Sequence, residues 1–238
     1  MSKNHIKSAV VWGISKGLNL PQIPIDRINE LCFLRDLLLD LKIDLVLDVG
    51  ANRGQFATEL RGIGYQKSIV SFEPVVSEYL ALKESFVGDR HWRGYQYALG
   101  SQEKAMSITV PRLTVLSSLL ESKFPEEGSI QQTVQVKRLD GILPDLIKDL
   151  QASQVFLKMD TQGYDLEVFR GASGCIGKIR GIQSELSVQP LYKNMSHYLE
   201  VLSVYESSGF TLHNLSPVNR VGNGGLVELN CFMKRSVS

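Results

Sequence analysis

Four carboxylates in this chain stand where a carboxylate can do chemistry. Asp160 closes the apolar run QVFLKMD (154–160), and Glu185 lies near the end of IRGIQSEL (179–186). Each can act as a general base or offer oxygen ligands to a divalent ion. Glu73 closes SIVSFE (68–73), and Asp48 sits inside VLDVGANRG (46–54), just ahead of Gly50. Gly50 and Gly54 let the backbone bend sharply and admit a ligand close to it, while Asn52 tolerates left-handed angles well enough to stand in for a glycine. The turn departs from the G-x-G-x-x-G of dinucleotide binding, because Asn52 and Gln55 occupy its second and third glycine positions. An acid before such a turn suits a ligand with an amino group better than a pyrophosphate. An acid at the end of the second strand, as Glu73 is, accepts hydrogen bonds from both hydroxyls of an adenosine ribose. Ala98 and Leu99, in ALGS (98–101), fall where the backbone meets adenine in such folds.

These residues need strands and helices to hold them. LVLDV (45–49) is a continuous apolar run of the kind buried on both faces of a parallel sheet. Phe56, Leu60 and Ile63 recur at helical spacing after the glycine turn, and Gly64 ends that helix. SIVSFE is a second strand, Ser77 is expected to cap the next helix, and YQYAL (95–99) reads as a third strand. AMSITVP (105–111) and TVQVKRL (133–139) alternate apolar and polar residues, which predicts a half-exposed antiparallel insertion. The strand–helix rhythm resumes through QVFLKMD, a helix over 165–172, IRGIQSEL and a helix over 197–207, and ends in a hairpin of FTLHNL (210–215) and LVELNCFM (226–233). Ahead of all this, residues 1–24 show no period and end in Pro21 and Pro24, and a helix follows from Asp26, its expected cap, to about Leu39. The division expected is an N-terminal helical segment over 1–43 and one α/β domain over 44–238, a mostly parallel doubly wound sheet with an antiparallel C-terminal strand.

Composition narrows the partners. The net charge of +1 supplies no basic footprint for nucleic acid. Cys32, Cys175 and Cys231 form no C-x-x-C pair and read as free thiols of a reducing compartment. The apolar stretch Ala9 to Ile14 is interrupted by Gly13 and is too short to span a bilayer, so the expectation is a cytoplasmic protein without a membrane partner. His91, His197 and His213 read as structural or exposed, and Tyr164, Tyr192 and Trp92 as packing residues before pocket linings.

In this order and spacing, VLDVGANRGQF, SFEP, YALGS, VQVKRLD and LKMDTQGYDLEVFRGA resemble the FkbM-type S-adenosylmethionine-dependent methyltransferases. The resemblance covers about residues 44 to 190. The first stretch is shared with most Rossmann-like methyltransferases; Lys158 to Ala172 is the specific part, with Lys158, Asp160, Gln162, Gly163, Asp165 and the Gly171–Ala172 pair on the family pattern K-x-D-x-(E/Q)-G-x-E/D. Asp165 stands where glutamate is commoner. The resemblance implies a class I methyltransferase fold and S-adenosylmethionine bound by Asp48, Gly50, Asn52, Gly54, Glu73, Ala98, Leu99 and Asp160. It also implies a small-molecule acceptor hydroxyl on a sugar, polyketide or other natural product, with Asp160 and Glu185 as catalytic candidates. No metal ligand is assigned; a divalent ion held by Glu185 together with Asp160, or with Asp140, is the lesser alternative. DTQG (160–163) lacks the Asn/Asp-Pro-Pro-aromatic signature of base-modifying enzymes. An amine acceptor and a non-catalytic cofactor-binding module are the competing readings.

Overall fold

A computed structural model describes residues 25–235 of the chain; the stretch Ala9 to Ile14 and the Pro21 and Pro24 punctuation lie outside the described residues. Helix α1 (Ile25–Asp40) leads into β1 (Leu45–Val49), α2 (Gln55–Gly62), β2 (Ser68–Phe72), α3 (Val76–Ser85) and β3 (Trp92–Tyr95). Short strand β4 (Ala98–Leu99), β5 (Lys104–Val110) and β6 (Ile130–Lys137) follow. The chain then runs through α4 (Leu139–Leu150), β7 (Val155–Met159), α5 (Asp165–Arg170), β8 (Ile179–Ser187), α6 (Tyr198–Ser207), β9 (Phe210–Arg220) and β10 (Leu226–Arg235).

Seven strands form one sheet in the order β3-β2-β1-β7-β8-β10-β9. Pairings from β3 through β8 are parallel, and β10 alone runs against its neighbours β8 and β9. The period of two in β1 explains the two-sided core. Val46 packs with Leu34, Leu37 and Leu38 of α1, Phe56 and Leu60 of α2, and Phe232 of β10. Leu45, Leu47 and Val49 point the other way, onto Leu139 and Leu143 of α4, Val168 and Phe169 of α5, and Tyr205 of α6. Helices on both faces leave the carboxyl ends of β1 and β7, at the middle of the sheet, as the place where a ligand can sit.

The expected antiparallel insertion is present: β4, β6 and β5 form a second sheet in which β5 and β6 are antiparallel. Three local expectations are corrected. YQYAL is not one strand; Tyr95 ends β3 in the large sheet, while Ala98 and Leu99 pair with Val136 and Lys137 of β6. Ser77 does not cap α3, whose N-cap is Val75. Asp26 lies inside the first turn of α1, which begins at Ile25.

Candidate active site

The glycine turn forms as the residues dictate. Gly50 has φ 74°, Asn52 φ 46° and Gly54 φ 92°, all in the left-handed region. A Cβ on Gly50 would stand 2.0 Å from the backbone oxygen of Asp160, so only glycine lets the ends of β1 and β7 close together. At Gly54 a Cβ would meet the Phe86 ring at 2.5 Å, which makes this glycine a seat for α3 rather than part of the cleft wall.

Two clefts open over these strand ends and share Gly50, Asn52, Val115 and Asp160. The first is narrow and is lined by Glu73, Pro74, Ala98, Leu99, Thr161 and Tyr164 among others. The second is lined by Phe56, Lys158, Gln183, Glu185, Val218 and Asn230, with α1 contributing Asp26, Arg27 and Glu30. Asp160 therefore stands at the junction, just beyond β7.

Glu73 is only 5% exposed. One of its oxygens accepts from the Asn52 backbone N–H at 2.7 Å and the other from the Val75 N–H at 2.8 Å. Burial pushes its carboxyl up to about 7; the two amide hydrogen bonds oppose that rise, and the carboxylates of Glu78 and Asp48 add to it.

Asp48 is held differently from the sequence expectation. It is fully buried, and its carboxylate is taken up by Lys158 Nζ at 3.0 Å and by the Ser71 hydroxyl at 3.4 Å. Instead of facing a ligand amino group, Asp48 sits beneath the turn and anchors a lysine. The Lys158 ammonium also donates to the Gly50 carbonyl at 3.2 Å and lies 3.6 Å from an Asp160 oxygen. Burial works against the charge of Lys158, but the carboxylates of Asp48 and Asp160 outweigh it and hold the ammonium above its usual range.

Asp160 and Glu185 are brought together. Gln162 Nε2 donates to Asp160 Oδ1 at 3.3 Å and to Glu185 Oε2 at 3.2 Å. Burial raises the Glu185 carboxyl well above the ordinary carboxylate range, the carboxylates of Asp160, Glu228 and Asp165 push it the same way, and Lys158 opposes them. Asp140 does not join this group; it is engaged by Arg138 and the Gly174 N–H. Among the described residues no set of three or more His, Cys, Asp or Glu side chains is arranged to hold a metal ion. Asp165 ties α5 to β8, accepting from Thr161 N–H at 2.8 Å, Ser184 hydroxyl at 2.9 Å and Glu185 N–H at 3.0 Å. Trp92 stacks on Phe86, and His197 is the N-cap of α6, so both serve packing and capping. Tyr164 lines the first cleft, and Tyr192 reaches Gln162. Sequence reasoning gave Lys158 and Gln162 no role beyond their places in the motif; only their position beside Asp160 hinted at one.

The family model described as methyltransferase FkbM domain matches residues 48–212, more than half of the chain. The chain belongs to the FkbM methyltransferase family. A search of curated proteins finds no match. Among solved structures, an uncharacterized protein from Listeria monocytogenes serotype 4b is similar at TM-score 0.50 and 5% identity, over 88% of this chain and 68% of that one. Magnesium protoporphyrin IX methyltransferase from Synechocystis PCC 6803 with bound S-adenosylmethionine gives TM-score 0.49 and 9% identity, over 89% and 81%. An rRNA methylase from Streptococcus thermophilus gives 0.47 and 9%, over 91% and 98%. At such identities the likeness concerns fold alone, and the argument rests on the family match: this FkbM-family chain is an S-adenosylmethionine-dependent methyltransferase. Among the described residues no helix is long and apolar enough to cross a membrane.

Proposed function

We propose that the enzyme methylates a hydroxyl of a small natural product such as a sugar or polyketide, with the donor in the first cleft and the acceptor in the second. The observation that carries this reading is the position of Asp160, which lines both clefts. S-adenosylmethionine supplies a methyl group on a sulfonium, ready for in-line displacement. The protein's part is to hold donor and acceptor in line, a gain in proximity that accounts for much of such catalysis.

The residues present fit that donor. Each Glu73 oxygen holds one backbone amide and keeps a further lone pair for a ribose hydroxyl. The bare Cα of Gly50 and the backbone of Asn52 admit a ligand at the end of β1, and Ala98 and Leu99 offer backbone at the adenine end. Asp48 acts through Lys158, and Gly54 through the packing of α3. On the acceptor side Asp160 takes the hydroxyl proton as the new O–C bond forms, with Glu185 beside it. A small neutral acceptor, and not nucleic acid, is supported by the net charge of +1, and a cytoplasmic site by the free thiols of Cys32, Cys175 and Cys231.

Asp160→Asn tests this assignment once an acceptor is found. Turnover should fall about 10²–10⁴-fold, the usual loss with a general base, while melting temperature and S-adenosylhomocysteine affinity hold. Near-normal turnover would remove Asp160 from the chemistry. If Asp160 instead held a metal, a chelator would abolish the parent activity and Mg²⁺ or Mn²⁺ would restore it. An amine acceptor is the second reading, favoured because Asp26, Glu30, Glu59, Asp160 and Glu185 outnumber Arg27, Lys158 and Arg220 along the second cleft. The atom methylated in an acceptor screen decides between the two.

A further inference from the structure

We propose that Gln162 is a positioning residue whose single side-chain amide clamps Asp160 and Glu185 into one fixed pair at the junction of the two clefts. The inference rests on the reading above that these two carboxyls serve the acceptor. Its geometry is independent of that reading. An amide nitrogen carries two hydrogens, and both are spoken for: one reaches Asp160 at 3.3 Å and the other Glu185 at 3.2 Å. The Asp160 carboxylate accepts and does not donate, which turns Nε2 toward this pair and leaves Oε1 facing the other way. There it meets the Tyr192 hydroxyl at 3.0 Å, and that hydroxyl also lies 3.2 Å from the Leu116 carbonyl.

The main chain at Gln162 is fixed as well. Its carbonyl accepts from the Ser118 hydroxyl at 2.8 Å, and Ser118 is itself buried. Gln162 has φ 52°, a left-handed angle that is unfavourable for a residue with a side chain, and Gly163 follows at φ 90°. Strain of this kind persists where the surroundings over-determine it, and here it folds the turn after β7 back over the strand ends. Ser118, in the segment between β5 and β6, thus holds the main chain of Gln162, while Tyr192, between β8 and α6 and itself beside the Leu116 carbonyl, holds its side-chain oxygen. A glutamate, which the family pattern also allows at this position, offers at most one hydrogen in place of two. When ionised it would set a third negative charge beside the pair. An amide is the side chain of that length able to bridge both carboxyls at any pH.

The titratable groups acting on Glu185 are Asp160 and Lys158 from the end of β7, Asp165 from α5 and Glu228 from β10, with Tyr192 near it, and the cleft it lines also carries Arg27 and Glu30 of α1, Glu59 of α2 and Arg220 of β9. A donor to its carboxyl favours the ionised form, so removing that donor moves its titration upward. The test is the midpoint of Glu185 by carbon-13 NMR of the side-chain carboxyl in the full-length protein bound to S-adenosylhomocysteine, assigned with Glu185→Gln. Gln162→Leu should raise that midpoint by about one pH unit or more, the effect of a lost hydrogen bond to a charged group. Gln162→Glu, which keeps the length, should raise it further, because a third carboxyl joins the pair. Melting curves identify the folded variants, and either folded variant suffices. A Glu185 midpoint equal to the parent's in a folded variant overturns the clamp. Since the titration needs no acceptor, such a failure leaves the role of Asp160 in methyl transfer untouched. Normal turnover in Asp160→Asn would in turn leave the clamp as measured.

Discussion

In the proposed site Glu73 would bind protons and the ribose hydroxyls through the same two oxygens. Replacing it with alanine should weaken S-adenosylhomocysteine binding by about 1–3 kcal/mol, the cost of leaving buried polar groups unpaired. Burial pushes its carboxyl to about 7 from an ordinary 4.5, so its contribution to stability is fully present below pH 4.5 and is lost as pH rises through about 7. Ribose hydroxyls donate to the ionised form, so the ligand should release a proton on binding. Affinity should then climb with pH and level off above about 7, and the climb should vanish in Glu73→Ala. Calorimetry across that range checks both statements; a flat parent profile contradicts the ribose assignment. Glu73 was legible because an acid ending the second strand after a glycine turn has a geometric consequence. The partner of Asp48 was not, because Lys158 lies 110 positions away and only the β1–β7 pairing sets the two side by side. The clamp of Gln162 on Glu185 was hidden for the same reason, its ends 23 residues apart on different elements.

The turn between β1 and α2 works because two strand ends nearly touch. Gly50→Ala places a methyl group 2.0 Å from the Asp160 carbonyl oxygen at φ 74°. Either β1 and β7 must part or the turn must rebuild. The variant should lose at least about 1–2 kcal/mol of stability from the left-handed angle alone, together with detectable S-adenosylhomocysteine binding, as read by melting and titration. A variant as stable and as tight as the parent would show that the strand ends can separate freely. Strands β1, β2, β7 and β8 of the large sheet were legible as apolar runs because they are buried on both faces. The break inside YQYAL was not, since Tyr95 and Ala98 fit either sheet and only β6 decides that Ala98 leaves β3. Helix α4 went unread because Gly141 and Pro144 punctuate it; Leu139, Leu143 and Leu146, at one-turn spacing, bury the face that holds it.

At the scale of the molecule, helix α1 and the methyltransferase domain share a core. We propose a division after residue 43, and α1 crosses it by packing Leu34, Leu37 and Leu38 against Phe232 of β10, with Phe33 edge-on to that ring at 5.3 Å. Phe232→Ala should cost about 3–5 kcal/mol, as large-to-small changes of buried aromatics do, and unfolding should stay a single transition. A second, separate transition would mean that α1 is held independently. This packing also brings Asp26, Arg27 and Glu30 to the rim of the second cleft, so the sheet and α1 meet at the side proposed for the acceptor.

The arrangement of donor and acceptor about Asp160 is most directly tested by a crystal structure of the protein with S-adenosylhomocysteine. The ligand should lie in the first cleft, both ribose hydroxyls on Glu73 and the adenine against Ala98 and Leu99, with its sulfur turned toward Asp160 and the opening of the second cleft. A ligand seated elsewhere, or one whose sulfur points away from Asp160, would contradict the account.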